Sequence, residues 1–514
     1  MNLKQKQDPI ENQQKEYGYK LITLCFYTNT IVIIFLSIYF LLLPACLMIH
    51  YINDTGLKES KMPGFAYQFH RSLSAKYEKW ARGRVVSKKA EGLSLNDISG
   101  TEWPVFGSVF YLLATESLQQ AWEKNKDLSS AAPKIYAAGA IEVAVELVAD
   151  PGHASWVKQH WGEDYLHREN VFYRMLLINA LTSYQKLLGK EKYTSLLRDQ
   201  VETLSKELDE SPHGLLDDYP RQCYPTDIVA AIAAINRADT VLGTDHSDFI
   251  KRSVRAFEGR FVDSTGLPPY EADSTTGIIG KARGCSSQWI TVWTPDLWPD
   301  YSKQLYENFD KHFWQERWTA VGFREFPKDD SGCEWYFDVD SGPVIAGFGA
   351  AASAFGIGAA RANGRFDHAY PLTTQAIVFS WPLLNGTLAG PRLLSNSTDA
   401  PYLGEASILF SLTRMPAEGF DIVTDDYAPK IVYIAISSLF IIFFLIAVSL
   451  IISVKKFYKS DSHNLKIKMP KIQFSIWCVL IAAACLLYFK VNILFGILSL
   501  LLTQIFPKYK IIKK

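Results

Sequence analysis

Four apolar runs constrain this chain more than any other feature of it. The first extends from about Leu21 to Ile52 with no acid or fixed base, and the next charged residue is Asp54. It is too long for a signal-peptide core and no small-residue cleavage site closes it, so it reads as an uncleaved anchor. The second, Ile431 to Val454, is bounded by Lys430 and Lys455 and exceeds the roughly 20 residues a spanning helix needs. The third and fourth, 472–489 and 491–507, are parted by Lys490 alone. One helix would bury that lysine in mid-membrane. Two short helices turning at Lys490-Val491-Asn492 let it snorkel to the headgroups. A fully soluble protein is excluded.

Charge sets the sidedness. The whole chain balances, with 53 Lys+Arg against 53 Asp+Glu, but the parts do not. Residues 1–20 carry four lysines against Asp8, Glu11 and Glu16, and residues 455–514 carry eleven lysines against Asp461. The span 21–454 is left with 38 bases against 49 acids, a net of −11. Lys455, Lys456, Lys459, Lys466, Lys468 and Lys471 crowd one connection, and Lys508, Lys510, Lys513 and Lys514 close the chain. The positive-inside rule puts both regions in the cytoplasm together with the lysine-bearing N-terminus. The expected order is a cytoplasmic segment 1–20, a transmembrane helix 21–52, an extracytoplasmic domain 60–425 and a second spanning helix 431–454. A basic cytoplasmic loop 455–471, a helical hairpin 472–507 and a basic tail 508–514 complete it. The acidic middle argues against a nucleic-acid partner. The lipid bilayer is the expected partner, beside a small-molecule or glycan substrate.

Cys223, Cys285 and Cys333 fall outside the apolar runs. Three is odd, so at least one is free or pairs with a second chain, which leaves a homo-oligomer open. The 60–420 span alternates helical patterns with Gly/Pro/Asp breaks. Helices are expected over Thr101–Gln120, Ala132–Val148, Asn170–Leu188, Tyr193–Leu208, Thr226–Leu242 and Asp245–Phe261. Further ones are expected over Ser286–Trp293, Tyr301–Thr319, Ser341–Arg361 and His368–Trp381, with Gly189 as a C-cap. A dozen helices with few convincing strands give an all-α class, an (α/α)6 toroid-like outer domain flanked by terminal transmembrane helices. An open solenoid lacks the fixed repeat it would need. Such a toroid exposes a cavity at one end, and twelve of the thirteen tryptophans lie between Trp80 and Trp381. Trp103, Trp298 and Trp335 sit in the breaks.

Three segments carry candidate chemistry. Asp217-Asp218-Tyr219-Pro220-Arg221-Gln222-Cys223-Tyr224-Pro225-Thr226-Asp227 places polar side chains on irregular backbone before an apolar helix. Thr226 or Asp227 would cap that helix. The Cys223 thiolate would gain from its dipole. Gly332-Cys333-Glu334-Trp335-Tyr336-Phe337-Asp338-Val339-Asp340-Ser341-Gly342-Pro343 sets acids beside aromatics, where desolvation raises a carboxyl pKa toward general-acid use. There Asp340 alternatively caps the Gly/Ala-rich helix that follows. His167 heads the Asn170–Leu188 helix and suits acid/base work near neutrality. His153, His160 and His167 recur every seven residues, but a helix break and the lack of an HExxH or CxxC pattern argue against a metal. No cofactor signature is present. Glu102 and Trp103, Tyr173 and Tyr224, Glu271 and Arg283, and Trp335 with Asp338 are the expected substrate contacts.

The run from His167-Arg168-Glu169-Asn170 through Leu188-Gly189-Lys190-Glu191-Lys192-Tyr193, followed by Cys223-Tyr224-Pro225, resembles the bacterial linalool dehydratase/isomerase-like domain over roughly 100–380. That resemblance implies an (α/α)6 toroid held at the bacterial cytoplasmic membrane. It also implies a histidine and a cysteine acting in acid/base dehydration and isomerisation. His167 and Cys223 occupy those positions, whereas the family's second cysteine corresponds here to Ile232. The implied activity is a lyase or isomerase on an apolar or hydroxylated substrate. A cell-envelope glycan hydrolase or epimerase using Asp340 with Asp218 or Glu102 is the alternative, and a non-catalytic ligand-binding membrane module is a third.

The topology is testable directly. A reporter fused after Asp426 is expected to be active only outside the cytoplasm, and one at Ser462 only inside. Cytoplasmic activity of the first fusion contradicts the orientation.

Overall fold

A computed structural model describes residues 9–330, 334–396, 398–459, 465–468 and 510–513. The chain divides into two units, Met1–Ile49 with Ile434–Lys514, and His50–Tyr433.

The first unit is built on the apolar runs. The helix Pro9–Ser37 passes through a π-helical turn at Ile38–Leu42 into Leu43–Ile52, and a second long helix covers Lys430–Lys459. The stretches Phe26–Ile52 and Lys430–Tyr458 are long and apolar enough to cross a membrane. Phe26 stacks on Phe457 with ring centroids 4.3 Å apart. Two short lysine-bearing strands, Leu465–Lys468 and Lys510–Lys513, pair antiparallel. The expected hairpin 472–507 lies outside the described residues, as does most of the 455–471 loop.

The second unit is mostly helical. Six of its helices are labelled here α1 (Ile98–Lys124), α2 (Val171–Leu188), α3 (Pro225–Leu242), α4 (Gly284–Trp293), α5 (Ala350–Ala362) and α6 (Leu403–Thr413). α1 packs on α2, α2 on α3, α3 on α4, α4 on α5, α5 on α6, and α6 back on α1. Their apolar side chains form the core, with Phe110, Tyr111, Ile178, Ile235, Trp293 and Ile357 essentially inaccessible. Asp97 starts α1 by accepting from the Gly100 amide, Pro225 occupies the first turn of α3, and left-handed Gly189 and Gly243 end α2 and α3. These are the start and stop residues that orphaned helix-end groups call for.

Three expected helices are corrected. The Asp245–Phe261 pattern is α-helical only over Ser247–Ser253 and goes on as 3-10 turns at Val254–Ala256 and Gly259–Phe261. The strands described in this unit are β1 (Trp314–Arg317), β2 (Ala320–Phe323), β3 (Trp335–Asp338), β4 (Gly342–Ile345) and β5 (Phe348–Gly349). The Ser341–Arg361 pattern holds β4 and β5 before its helix. Gly342 and Gly347 have positive φ and Pro343 donates no amide hydrogen, so a helix cannot begin before Ala350. Tyr301–Thr319 likewise stops at Phe313 and turns back as the β1–β2 hairpin. Asp340 therefore lies in the turn between β3 and β4 and does not cap α5. The helices Phe65–Ser87 and Leu403–Thr413 went unread in the sequence, because neither begins with a polar capping residue.

Arg361 of α5 joins the two ends of this unit. Its side chain is fully buried. It donates to the carbonyls of Lys61 (2.8 Å), Gly56 (3.4 Å) and Arg414 (2.8 Å). Burial lowers its pKa to about 10, with nearby Asp54 opposing the shift, so it stays charged at neutral pH. Arg361→Ala removes the donor for three carbonyls, a loss of about 3 kcal/mol or more. The expected outcome in thermal unfolding of the full chain is a Tm several degrees lower, with Arg361→Lys only partly restoring it.

Candidate functional site

The candidate site gathers at the N-terminal ends of α1, α2, α3 and α4. Glu102 lies in the first turns of α1 and Asp227 in the first turn of α3. After the helix Thr194–Glu210, the segment Asp217–Tyr224 that leads into α3 holds a tight turn. Arg221 takes a left-handed φ of 68°, and the Gln222 amide donates to the Tyr219 carbonyl at 2.8 Å. Asp218 accepts the Tyr224 amide at 2.7 Å, and the Phe172 amide at the start of α2 also bonds it. The Ala272 amide donates to the Cys223 carbonyl at 3.0 Å, which pins this loop to the 270–283 segment. Tyr270 of that segment donates its hydroxyl to Asp340 and packs edge-on against Tyr224 with centroids 5.3 Å apart.

The carboxyl groups feel one another. Burial pushes Asp227 up to about 8, and Asp340 and Glu102 push it further in the same direction. Burial raises Glu102 to about 7, with Tyr219 opposing and Asp340 adding to the shift. Asp218 is raised well above the ordinary carboxylate range by burial, then by Asp227. Glu102 and Asp227 nonetheless keep part of their surface accessible. A solvent-starved carboxyl with acidic neighbours holds its proton toward neutrality.

An aromatic cluster packs one turn further along α1. Phe106, one turn after Glu102, is in ring contact with Phe110 (4.3 Å), Trp289 (5.7 Å) and Phe172 (5.8 Å). Phe355 of α5 meets Trp289 at 5.9 Å, and Tyr219 meets Phe172 at 6.3 Å. The Tyr219 hydroxyl faces Glu102. Among the described residues, the buried Tyr219 hydroxyl, Asp218 Oδ1, Gln288 Oε1 and Trp289 Nε1 have no hydrogen-bond partner of normal geometry.

Behind the acids stands a second ionic layer. Arg283 bridges Glu325 (2.8 Å) and Asp338 (2.6 Å). Burial raises Glu325 to about 7, against the pull of Arg283. Asp338 accepts from the Ser341 amide at 2.6 Å and its hydroxyl at 2.7 Å. Arg283 and Asp338 thus hold the β3–β4 turn that carries Asp340.

Other expected positions fall elsewhere. His167 is half-exposed and pairs with Asp164 (3.0 Å) and Asp199 (3.2 Å) at the surface; these carboxylates raise its pKa, the Asp164 hydrogen bond most. Cys223 is 1% exposed, and burial together with Asp218 and Asp217 drives its thiol pKa upward. The expected thiolate stabilisation by the helix dipole is corrected, because desolvation and nearby acids outweigh a partial charge. The expected caps are corrected too. The N-cap position of α3 is Tyr224 with no side-chain cap, and Thr226 donates to the Ser286 carbonyl at 3.3 Å. Tyr173 is a core residue whose hydroxyl donates to the Val148 carbonyl, which corrects its expected role as a substrate contact. Trp335 is 70% exposed on β3, Trp103 is half-buried beside Pro104, and Glu271 is exposed. Asp227 and Tyr270 are the residues whose part in the cluster went unread. The sequence signal for Asp227 was an acid opening an otherwise apolar helix, read as a cap. Tyr270 gave none. Among the described residues no group of three His, Cys, Asp or Glu is arranged to hold a metal ion.

No protein-family model and no curated protein matches this chain.

The raised pKa values fix the sign of a pH effect. A carboxyl whose folded pKa lies above its unfolded value costs stability as pH rises from about 4 through the folded pKa. Asp227→Asn is therefore expected to raise Tm over the parent at pH 8, by the equivalent of about 1–3 kcal/mol. The difference shrinks toward zero near pH 4. Melting curves at the two pH values check this.

Proposed function

We propose that this protein is an enzyme that breaks a C–O bond by carboxyl-based acid/base catalysis. Its substrate joins a hydroxyl or ether oxygen to an apolar body. The carrying observation is that Glu102 and Asp227 reach pKa values of about 7 and about 8 while remaining partly accessible beside an aromatic cluster. An acid poised near the working pH is both protonated and able to give its proton away. Asp227 protonates the departing oxygen as the C–O bond breaks. Asp340, positioned by the Tyr270 hydroxyl, takes a proton from the neighbouring carbon, leaving an alkene with water released from an alcohol substrate or an alcohol released from an ether. The proton then returns from base to acid between turnovers. Phe106, Phe355 and Trp289 hold the apolar part.

This keeps the lyase or isomerase chemistry expected from sequence but moves it from the thiol and imidazole to carboxyl groups. The same acids suit the envelope-glycan alternative, since two carboxyls flanking a glycosidic oxygen perform hydrolysis. The aromatic cluster favours the apolar substrate.

The architecture behind the proposal is the (α/α)6 toroid. It is supported by the cyclic succession of contacts from α1 to α6 and by four helix N-termini meeting at one cluster, which requires those helices to run in the same sense. The setting is an extracytoplasmic domain anchored in a bacterial cytoplasmic membrane. It is supported by the lysine partition and by the pairing of the two basic strands that flank 469–509, which needs an even number of crossings between them.

Activity on hydroxylated terpenoids and on neutral oligosaccharides separates the readings. Asp227→Asn and Glu102→Gln are each expected to lower turnover by about 10²–10⁴-fold, with Cys223→Ser mild. Loss of activity in Cys223→Ser with Asp227→Asn unaffected contradicts the proposal. Oligosaccharide cleavage as the acid-dependent activity selects the glycan reading.

A further inference from the structure

One concave feature of the domain unit shares no lining residue with the carboxyl cluster. It is an open cavity of about 700 Å³ between the helix Phe65–Ser87 and the segment leading into α6. Lys76, Lys79, Arg84 and Lys89 line it against one acid, Asp399. Asp399 is already engaged, by Lys89 at 2.6 Å and Arg84 at 3.9 Å. Glu405 nearby is taken by Arg392 and the Leu388 amide. Lys76 reaches two neutral hydroxyls, those of Ser72 (3.2 Å) and Thr387. Lys79 is exposed and, among the described residues, joins no ion pair. Lys79 is thus the cation without an ion pair here, and Lys76, three residues before it on one helix face, meets Glu405 only in competition with Arg392, which already holds that acid.

The wall between them is aromatic. Trp80 and Tyr402 stand 5.8 Å apart at 59°, and both line the cavity. Gly83, one turn beyond Lys79, is exposed and lines the cavity, and a Cβ placed there meets nothing within 4 Å. The volume is within the range of ligand sites, about 300–1,000 Å³. Concave basic surface with low-dielectric walls concentrates anions, and a tryptophan face accepts the apolar face of a sugar ring.

We propose that this groove binds an anionic glycan, with its acidic groups at Lys76 and Lys79 and a sugar ring against Trp80. The assignment is independent of the acid/base reading. Titration calorimetry of the full-length protein in neutral detergent tests it, with tetragalacturonate as the anionic probe and maltotetraose as the neutral one. Tetragalacturonate is expected to bind saturably and at least about tenfold more tightly than maltotetraose, with affinity falling as salt rises. Lys79→Glu is expected to weaken it about tenfold or more, and Gly83→Phe, which intrudes into the cavity, to abolish it with the melting temperature retained. No binding of tetragalacturonate, equal binding of maltotetraose, or affinity unchanged in both variants overturns the proposal.

Discussion

Desolvation of carboxyl groups is the interaction on which the rest of this structure turns. Glu102 lies more than a hundred residues before Asp218 and Asp227, yet each raises, or is raised by, another acid of the cluster. Gathering like charges where water is scarce is unfavourable unless protons are retained. A chain that only had to fold would place these residues at the surface. The unfavourable arrangement therefore needs a rigid frame, and the frame is visible. α1 to α6 pack in a cyclic succession, and the buried Arg361 ties the carbonyls at the beginning of the domain unit to that of Arg414 near its end.

The frame also explains how an exposed turn contributes to a deep site. Asp340 sits on a surface hairpin, but Arg283 fixes that hairpin through Asp338, and Tyr270 reaches Asp340 from the opposite segment. A second ionic layer of this kind holds a reacting group within the narrow tolerances that acid/base chemistry needs. Cys223 and His167 occupy the opposite extremes. One is sealed among acids that disfavour its thiolate, and the other is solvated between two carboxylates.

Much of the helical frame was legible because apolar periodicity and end signals agree there. α2 and α3 begin and end within a residue of their expected bounds, since Gly189, Pro225 and Gly243 supply the required end conformations. The strands between Trp314 and Gly349 were not legible, because each has four residues or fewer, too short for alternation to register, and the turns around β4 depend on positive φ at Gly342 and Gly347. Of the site, the Asp217–Asp227 loop and the Asp338–Asp340 turn were recognised as segments rich in chemistry. The role of Asp227 was not, because an acid in the first turn of a helix is most simply a cap. Its capture by Glu102 and Asp340 depends on which helix ends the fold brings together. Tyr270 is a contact made across seventy residues, and nothing in its local sequence announces it.

The central claim is that a carboxyl group of this cluster holds its proton at neutral pH. Infrared difference spectroscopy between the parent and Asp227→Asn, followed through a pH titration of the full-length protein, reads that proton directly in the carboxylic acid carbonyl stretch. The account predicts a protonated-carboxyl band, absent in the variant, that persists above pH 7 and titrates near pH 8. A band lost by pH 5, or a spectrum identical in parent and variant, would contradict it.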